Sequence, residues 1–205
     1  MGERIMIEIQ NVSIIRDEKR VLSNFSGQIQ LRQATLISGP NGAGKSSLVS
    51  AIAGVLAPAS GGIRINNQDP YAVSAPDLAR LRSVAPQRRS FVLAFTVDEV
   101  LNFVPKSLRA SNAEPFIHAL GLDELKQKKV TELSIGQQQR VSLGLALTQD
   151  AEFYLLDEPF DAQDAHYQAQ IVELISELKK TKGVLVVSHN TDALHPYFDQ
   201  EIVLS

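Results

Sequence analysis

The order of apolar runs and turn residues predicts an α/β fold. It comprises a three-layer core around a predominantly parallel sheet, an N-terminal antiparallel β portion and an inserted helical subdomain. Three observations carry the prediction. An apolar run, a glycine-rich loop and a helical stretch follow one another over residues 34–56. Strand, helix and strand alternate again after residue 150, at 152–156, about 165–180 and Gly183-Val184-Leu185-Val186-Val187. Between these two α/β stretches, from about 90 to 135, the texture becomes helical, with capped helix starts.

Taken in order, residues 4–14 and 27–31 read as strands with turn residues between them. The first residues, Met1-Gly2-Glu3-Arg4-Ile5, run straight into that alternation and lack the apolar core of a signal peptide. Ala34-Thr35-Leu36-Ile37-Ser38 reads as a buried strand, and Ser47-Leu48-Val49-Ser50-Ala51-Ile52-Ala53 as the helix beyond the loop. Pro58-Ala59-Ser60-Gly61-Gly62 reads as a turn into the strand Ile63-Arg64-Ile65, and 76–82 as a short helix before the strand Ser83-Val84-Ala85. Thr96-Val97-Asp98-Glu99 and Ser111-Asn112-Ala113-Glu114 both fit the capping box, in which the first hydroxyl and the last carboxylate satisfy orphan N–H groups. Gly121 is placed to end the second of these helices. On this reading 1–89 and 136–205 are the α/β core and about 90–135 the helical subdomain.

The bulk properties exclude several functions. A net charge of −3 and a pI near 5.8 leave no electrostatic footprint for nucleic acid. With no cysteine there are no disulfides and no thiolate-bound metal. No run reaches the roughly 18 apolar residues that cross a bilayer, so any work at a membrane requires docking on another chain.

Gly39-Pro40-Asn41-Gly42-Ala43-Gly44-Lys45-Ser46 fits G-x-x-x-x-G-K-[ST], placed between a strand and a helix that begins near Ser47. Glycines let several backbone N–H groups converge on one anion. The helix N-terminus adds partial positive charge, Lys45 adds a full one, and the Ser46 hydroxyl can ligate Mg²⁺. A chance match arises in roughly one chain in a hundred, so the motif predicts binding of a nucleoside triphosphate. Phe153-Tyr154-Leu155-Leu156-Asp157-Glu158 is an apolar strand ending in two acids. Beside a phosphate loop, the first acid suits Mg²⁺ and the second suits polarising an attacking water, which assigns Asp157 to the metal and Glu158 to the general base.

Leu133-Ser134-Ile135-Gly136-Gln137-Gln138-Gln139-Arg140 opens with a third capping box, Ser134 to Gln137, and a helix start with a free hydroxyl and exposed N–H groups is an anion site. Here the chain resembles the ATPase subunits of ABC transporters, whose signature L-S-G-G-Q lies between the phosphate loop and the acidic strand. The resemblance covers essentially the whole chain. It implies that Gln87 senses Mg²⁺ and the attacking water, and that His189, in Val-Ser-His-Asn, contacts the γ-phosphate of ATP. It implies that Asp161-Ala162-Gln163-Asp164 forms the loop that crosses to a second subunit. Each ATP would lie between the phosphate loop of one subunit and Ser134, Gly136 and Gln137 of the other. His118, His166 and His195 have no metal-ligand spacing.

The chain departs from the family pattern in four places. Ile135 replaces the first signature glycine, which predicts a weakened contact with phosphate. Arg16 stands where an aromatic usually stacks on adenine, as a stacking guanidinium or as surface charge. Asp161 and Gln163 stand where the family commonly has serine and leucine. The segment Ser90-Phe91-Val92-Leu93-Ala94-Phe95-Thr96 falls where family members receive a membrane subunit; Phe91 and Phe95 serve either that surface or the core of the helical subdomain. This stretch is similar to importers of metal ions and metal chelates, and the short chain is also similar to small exporter subunits of the haem-exporter kind. The resemblance implies a transmembrane permease partner, a place on the cytoplasmic face, and a dimer, either of two copies or with a second ATPase chain. A non-transport or regulatory nucleotide-binding module is the alternative. The stretch from Gln87 to Ser134 is too short for the coiled-coil insertion of relatives that act on DNA or ribosomes.

Overall fold

The computed structural model describes residues 6–87, 91–189 and 193–205. The first positions of the strand reading at 4–14, and Ser90 and Asn190 of the motifs above, lie outside the described residues. Along the chain come β1 (Met6–Arg16), β2 (Lys19–Gln30), β3 (Ala34–Ser38), α1 (Lys45–Ile52), β4 (Ser60–Ile65), α2 (Ala75–Leu81), β5 (Arg82–Ala85), α3 (Val97–Leu101), α4 (Glu114–Ala119), α5 (Ile135–Thr148), β6 (Phe153–Asp157), α6 (Ala165–Leu178), β7 (Gly183–Val187) and β8 (Gln200–Val203).

Two sheets result. The first is antiparallel, in the order β2-β1-β4. Asp17 and Glu18 close its hairpin with φ of 49° and 61°, the handedness a two-residue turn needs to follow strand twist. The second is parallel throughout, in the order β5-β6-β7-β3-β8. Every residue of β3, β6 and β7 is buried, as a parallel sheet covered on both faces requires. Alternate side chains therefore serve two cores. Leu36, Tyr154, Leu156, Val184 and Val186 pack with α5, α6 and the helical segment. Ile37, Phe153, Leu155, Leu185 and Val187 pack with the antiparallel sheet and α1.

The helical segment closes on α5 because Gly144 offers no side chain: a Cβ there would stand 2.6 Å from Leu122 Cδ1. α4 ends in a Schellman motif, in which Gly121 (φ 62°) donates to His118 O (2.9 Å) and Leu122 to Ile117 O (3.2 Å). Leu122 is then driven into the core with no exposed surface.

Three readings need correction. The strand read at 27–31 is the end of a longer one, Lys19–Gln30; its polar residues and the register shifts opposite Val12 hide the alternation. Gly61 and Gly62 lie within β4 instead of in a turn: Gly62 pairs with Gln10 of β1, and Gly61 (φ 83°) sits at the register shift beside it. The box at Ser111 does not form: α4 starts at Glu114 with Ala113 as its N-cap and no side-chain cap. A helix begun at Ser111 would put Pro115 where its N–H must donate to the Ser111 carbonyl, and proline has none. A start at Glu114 places that proline in the first turn, where no donor is needed. The box at Thr96 does form, with Glu99 N donating to Thr96 Oγ1 at 3.2 Å and Thr96 N to Glu99 Oε2 at 2.7 Å.

At Gly121, an added Cβ meets Tyr167 Oη at 2.5 Å on top of the left-handed φ. Gly121→Ala is expected to cost about 2 kcal/mol. Gly62→Ala, whose Cβ meets nothing within 4 Å, should stay within about 0.5 kcal/mol of the parent. Urea unfolding midpoints at constant slope measure both.

Candidate active site

The carboxyl ends of the parallel strands gather the chemistry. β3 delivers the phosphate loop, β6 delivers Asp157 and Glu158, and β7, which lies between them, delivers His189. Register fixes the spacing, since Val187 of β7 pairs with both Ile37 of β3 and Asp157 of β6. A crevice of about 230 Å³ opens there, lined by Val21, Asn41, Gly42, Gly44, Lys45, Ser46, Ser47, Gln87 and Glu158.

Gly44 (φ 88°) turns the loop into α1, and a Cβ there would come within 2.6 Å of the Val21 carbonyl. The β1–β2 hairpin can press on the loop only because that side chain is missing. Lys45 is buried, and its ammonium donates to the carbonyls of Gly39 (2.7 Å) and Pro40 (3.1 Å). The full positive charge is thus held at the rim of the loop by groups that a stronger acceptor, such as a phosphate oxygen, would outcompete. Ser46 Oγ donates to Asp157 Oδ1 at 3.2 Å. Burial pushes the Asp157 carboxyl above its ordinary value; the Ser46 hydrogen bond pulls it back, Glu158 raises it and Lys45 lowers it. A buried carboxylate with a hydroxyl beside it, both hard oxygen donors, suits Mg²⁺, whose charge would favour the ionised acid.

Glu158 has a left-handed backbone (φ 52°), which costs a side-chain-bearing residue about 1–2 kcal/mol. Its surroundings hold it there. Its N–H donates to Val187 O at 2.9 Å, and its carbonyl accepts from Asp161 N (3.2 Å) and from the Gln139 side chain. The residue is 5% exposed, and its carboxylate meets His189 at N (3.2 Å) and Nδ1 (3.0 Å). The same imidazole nitrogen stands 3.7 Å from Asp161 Oδ1.

Ser134, Gly136 and Gln137 do not line the crevice. They start α5, where Gln137 N donates to Ser134 Oγ (3.3 Å) and Ser134 N to Gln137 Oε1 (3.0 Å), the predicted box. Ile135 projects at this helix start with 78% exposure, so within its own chain the substitution for glycine is accommodated. Gly136 has no such freedom: a Cβ would stand 2.4 Å from Ala162 O, and its carbonyl accepts from Gln163 Nε2 at 3.1 Å. Arg16 is exposed at the end of β1 opposite Lys19 and does not line the crevice; Val21 does. Sequence reasoning missed Val21 and the contacts of Gln139 and Gln163; for Gln139 the signal was a run of glutamines after the helix start.

The segment after Gln87 divides. Phe91 packs against the core. Val92 (84%) and Leu93 (63%) are exposed, beside Phe95, whose ring meets Phe103 edge-on at 5.1 Å. Among the described residues no helix is long and apolar enough to cross a membrane.

A family model described as ABC transporter matches residues 22–161. The chain is 35% identical to the manganese transport system ATP-binding protein MntB of Bacillus subtilis, over 97% of its own length and 82% of that protein. It is 34% identical to the zinc transport system ATP-binding protein TroB of Treponema pallidum, over 97% and 78%. It is also 34% identical to the hemin import ATP-binding protein HmuV of Shewanella denitrificans, over 98% and 84%. The dimeric structure of a bacterial ABC transporter cassette superposes with a TM-score of 0.83 at 25% identity, over 97% of this chain and 94% of that one. The structure of an ATP-binding subunit of an ABC transporter gives 0.86 at 23% identity, over 97% and 85%.

The contrast between neighbouring signature residues is testable. Gly136→Ala, with a Cβ forced onto the Ala162 carbonyl, should lose about 1–3 kcal/mol of stability. Ile135→Gly, at an exposed first helical position, should change it by less than about 1 kcal/mol. Denaturant titration of the two purified variants decides it.

Proposed function

Because the chain belongs to the ABC transporter family of ATP-binding proteins, we propose that the crevice at the phosphate loop is where it hydrolyses ATP to power a separate permease. The chain is an ATP-binding, ATP-hydrolysing subunit of a transport system. The observation that carries the site is the convergence of Lys45, the Ser46–Asp157 pair and Glu158 on one crevice.

Hydrolysis here is attack of water on the γ-phosphorus, and catalysis is mainly positioning and charge neutralisation. Backbone amides of residues 42–46 and the Lys45 ammonium hold the phosphates. Mg²⁺ carried with ATP would be held by Ser46, Asp157 and Gln87, and would neutralise charge on the phosphate oxygens. Glu158 accepts the proton of the attacking water, and His189, bonded to Glu158 and lining the adjoining cavity with Asp161, is the residue assigned to the γ-phosphate. Arg16, the candidate for stacking on adenine, is exposed and lies outside the crevice wall, which Val21 lines instead.

The helical segment, about 90–135, is read as a subdomain on the core formed by 1–89 and 136–205. In a head-to-tail dimer its neighbour α5 presents Ser134, Gly136 and Gln137 to the ATP of the other subunit. Two copies of this chain are the simplest pairing; a second, different ATPase chain with a glycine at the Ile135 position is the rival. Val92, Leu93, Phe95 and Phe103 are exposed apolar side chains that suit docking of a permease helix, which supports a peripheral position at the cytoplasmic face of the membrane. The relatives' names support import of a metal ion or metal chelate as the cargo class.

Two experiments test this. Glu158→Gln should lower ATPase activity by about 100-fold or more while ATP binding survives. Light scattering behind a sizing column should show that variant shifting from monomer to dimer with Mg-ATP; a persistent monomer that binds ATP would instead require a partner ATPase chain. Leu93→Asp should abolish co-purification with the membrane subunit and leave the ATPase rate of the isolated chain within about twofold.

A further inference from the structure

Gln139 lies in the second turn of α5, and its side-chain amide donates to the backbone carbonyl of Glu158 across 2.5 Å. We propose that Gln139 is a positioning residue for ATP hydrolysis: it holds the backbone turn that aims the Glu158 carboxylate, and it makes that aim depend on where the chain's own signature helix sits. The inference rests on the reading of Glu158 as the base.

The three successive glutamines of α5 have different partners. Gln137 completes the cap on Ser134, and Gln138 Nε2 donates to Leu133 O at 3.1 Å. Both contacts stay inside the start of the helix. Gln139 alone of the three reaches across to the acidic loop. The loop answers in the opposite direction, since Gln163 Nε2 donates to Gly136 O at 3.1 Å. Ala162 O also packs on the bare face of Gly136, where even a Cβ would stand at 2.4 Å. Two side-chain amides of opposite sense and one close backbone approach thus join the helix start to residues 158–163.

Glu158 needs such a hold more than its neighbours do. Its φ of 52° lies outside the range that a residue with a side chain adopts readily, so the turn persists only while its surroundings enforce it. Val187 O secures the N–H side, and the carbonyl side is secured by Asp161 N from within the loop and by Gln139 from outside it. Removing the outside donor lets the peptide after Glu158 rotate, and the carboxylate loses its bearing on the attacking water. Because α5 is also the helix that meets the second subunit's ATP in the proposed dimer, the Gln139 bond carries that helix's position to the chain's own base.

Three substitutions separate hydrogen bonding from packing. Gln139→Met keeps the size of the side chain and removes the N–H, whereas Gln139→Lys keeps a donor with enough reach. Gln139→Glu keeps shape and polarity without an N–H and stands in should the methionine variant fail to fold. One hydrogen bond lost at the transition state predicts a kcat about tenfold lower in Gln139→Met, with KM and ATP affinity within about twofold. In the nucleotide-free protein, amide exchange of Glu158, Phe160, Asp161 and Ala162 should quicken by about tenfold. Gln139→Lys should restore both readouts. Parental kcat and exchange in Gln139→Met, or a Gln139→Lys no better than it, would overturn the positioning role. Glu158→Gln assayed in parallel separates the two readings. Should it hydrolyse like the parent, the base assignment falls; should it be inactive beside a fully active Gln139→Met, the positioning role alone falls.

Discussion

The register of three adjacent parallel strands governs this chain. Val187 of β7 sits between Ile37 of β3 and Asp157 of β6, and its carbonyl receives the Glu158 N–H. One residue's slip on β6 would turn Asp157 and Leu156 to opposite faces and take the acid away from Ser46. The register is strongly specified because both faces of these strands are buried and each face belongs to a different core. Packing far from any phosphate therefore sets the distance between lysine, hydroxyl and carboxylates. The second consequence is electrostatic: the same burial that fixes Asp157 also raises its pKa, which makes it an acid that gains from a bound cation.

How much of this was legible in the sequence follows from how local each signal is. The phosphate loop, the strand ending in Asp157 and Glu158, and the caps at Thr96 and Ser134 are set within a few residues and read correctly. Ser111 read wrongly although it fits the same pattern, because a proline four residues on has no N–H to give. The first sheet was only partly legible. β2 carries Asn24, Ser26 and Gln28 toward solvent, and its bulged register breaks the two-residue period on which strand reading relies. Among side-chain contacts across the sequence, the meeting of Ser46 with Asp157 followed from their shared assignment to Mg²⁺, but those of Gln139 and Val21 were not legible. Nothing near Gln139 says that it will meet a carbonyl nineteen positions away, and Val21 enters the crevice only because the hairpin folds back onto Gly44.

The signature shows why a departure from a family pattern need not fall on the position that looks most altered. Ile135 replaces a glycine with a β-branched residue, but its side chain points away from its own chain and its backbone is not among the positive-φ residues. Gly136, one step along, faces the Ala162 carbonyl and has room for no carbon at all. The two glycine positions of this motif thus answer to different constraints. The second is required by the chain's own acidic loop, and the first by whatever approaches the helix from outside.

That division bears on how two subunits would communicate. A change of residue at position 135 alters the surface offered to a second subunit and leaves the internal stitching of α5 to residues 158–163 intact. The bonds of Gln163 to Gly136 and of Gln139 to Glu158 use backbone carbonyls as acceptors, so they depend on where the helix lies and little on which side chains it exposes. A helix displaced by a partner's nucleotide must carry the acidic loop with it or break those bonds. The left-handed turn at Glu158, which its own φ does not favour, is where such a displacement would be felt first. An exposed tip on a helix whose root is bonded to the acidic loop lets the surface offered to a partner change without loosening the turn at Glu158.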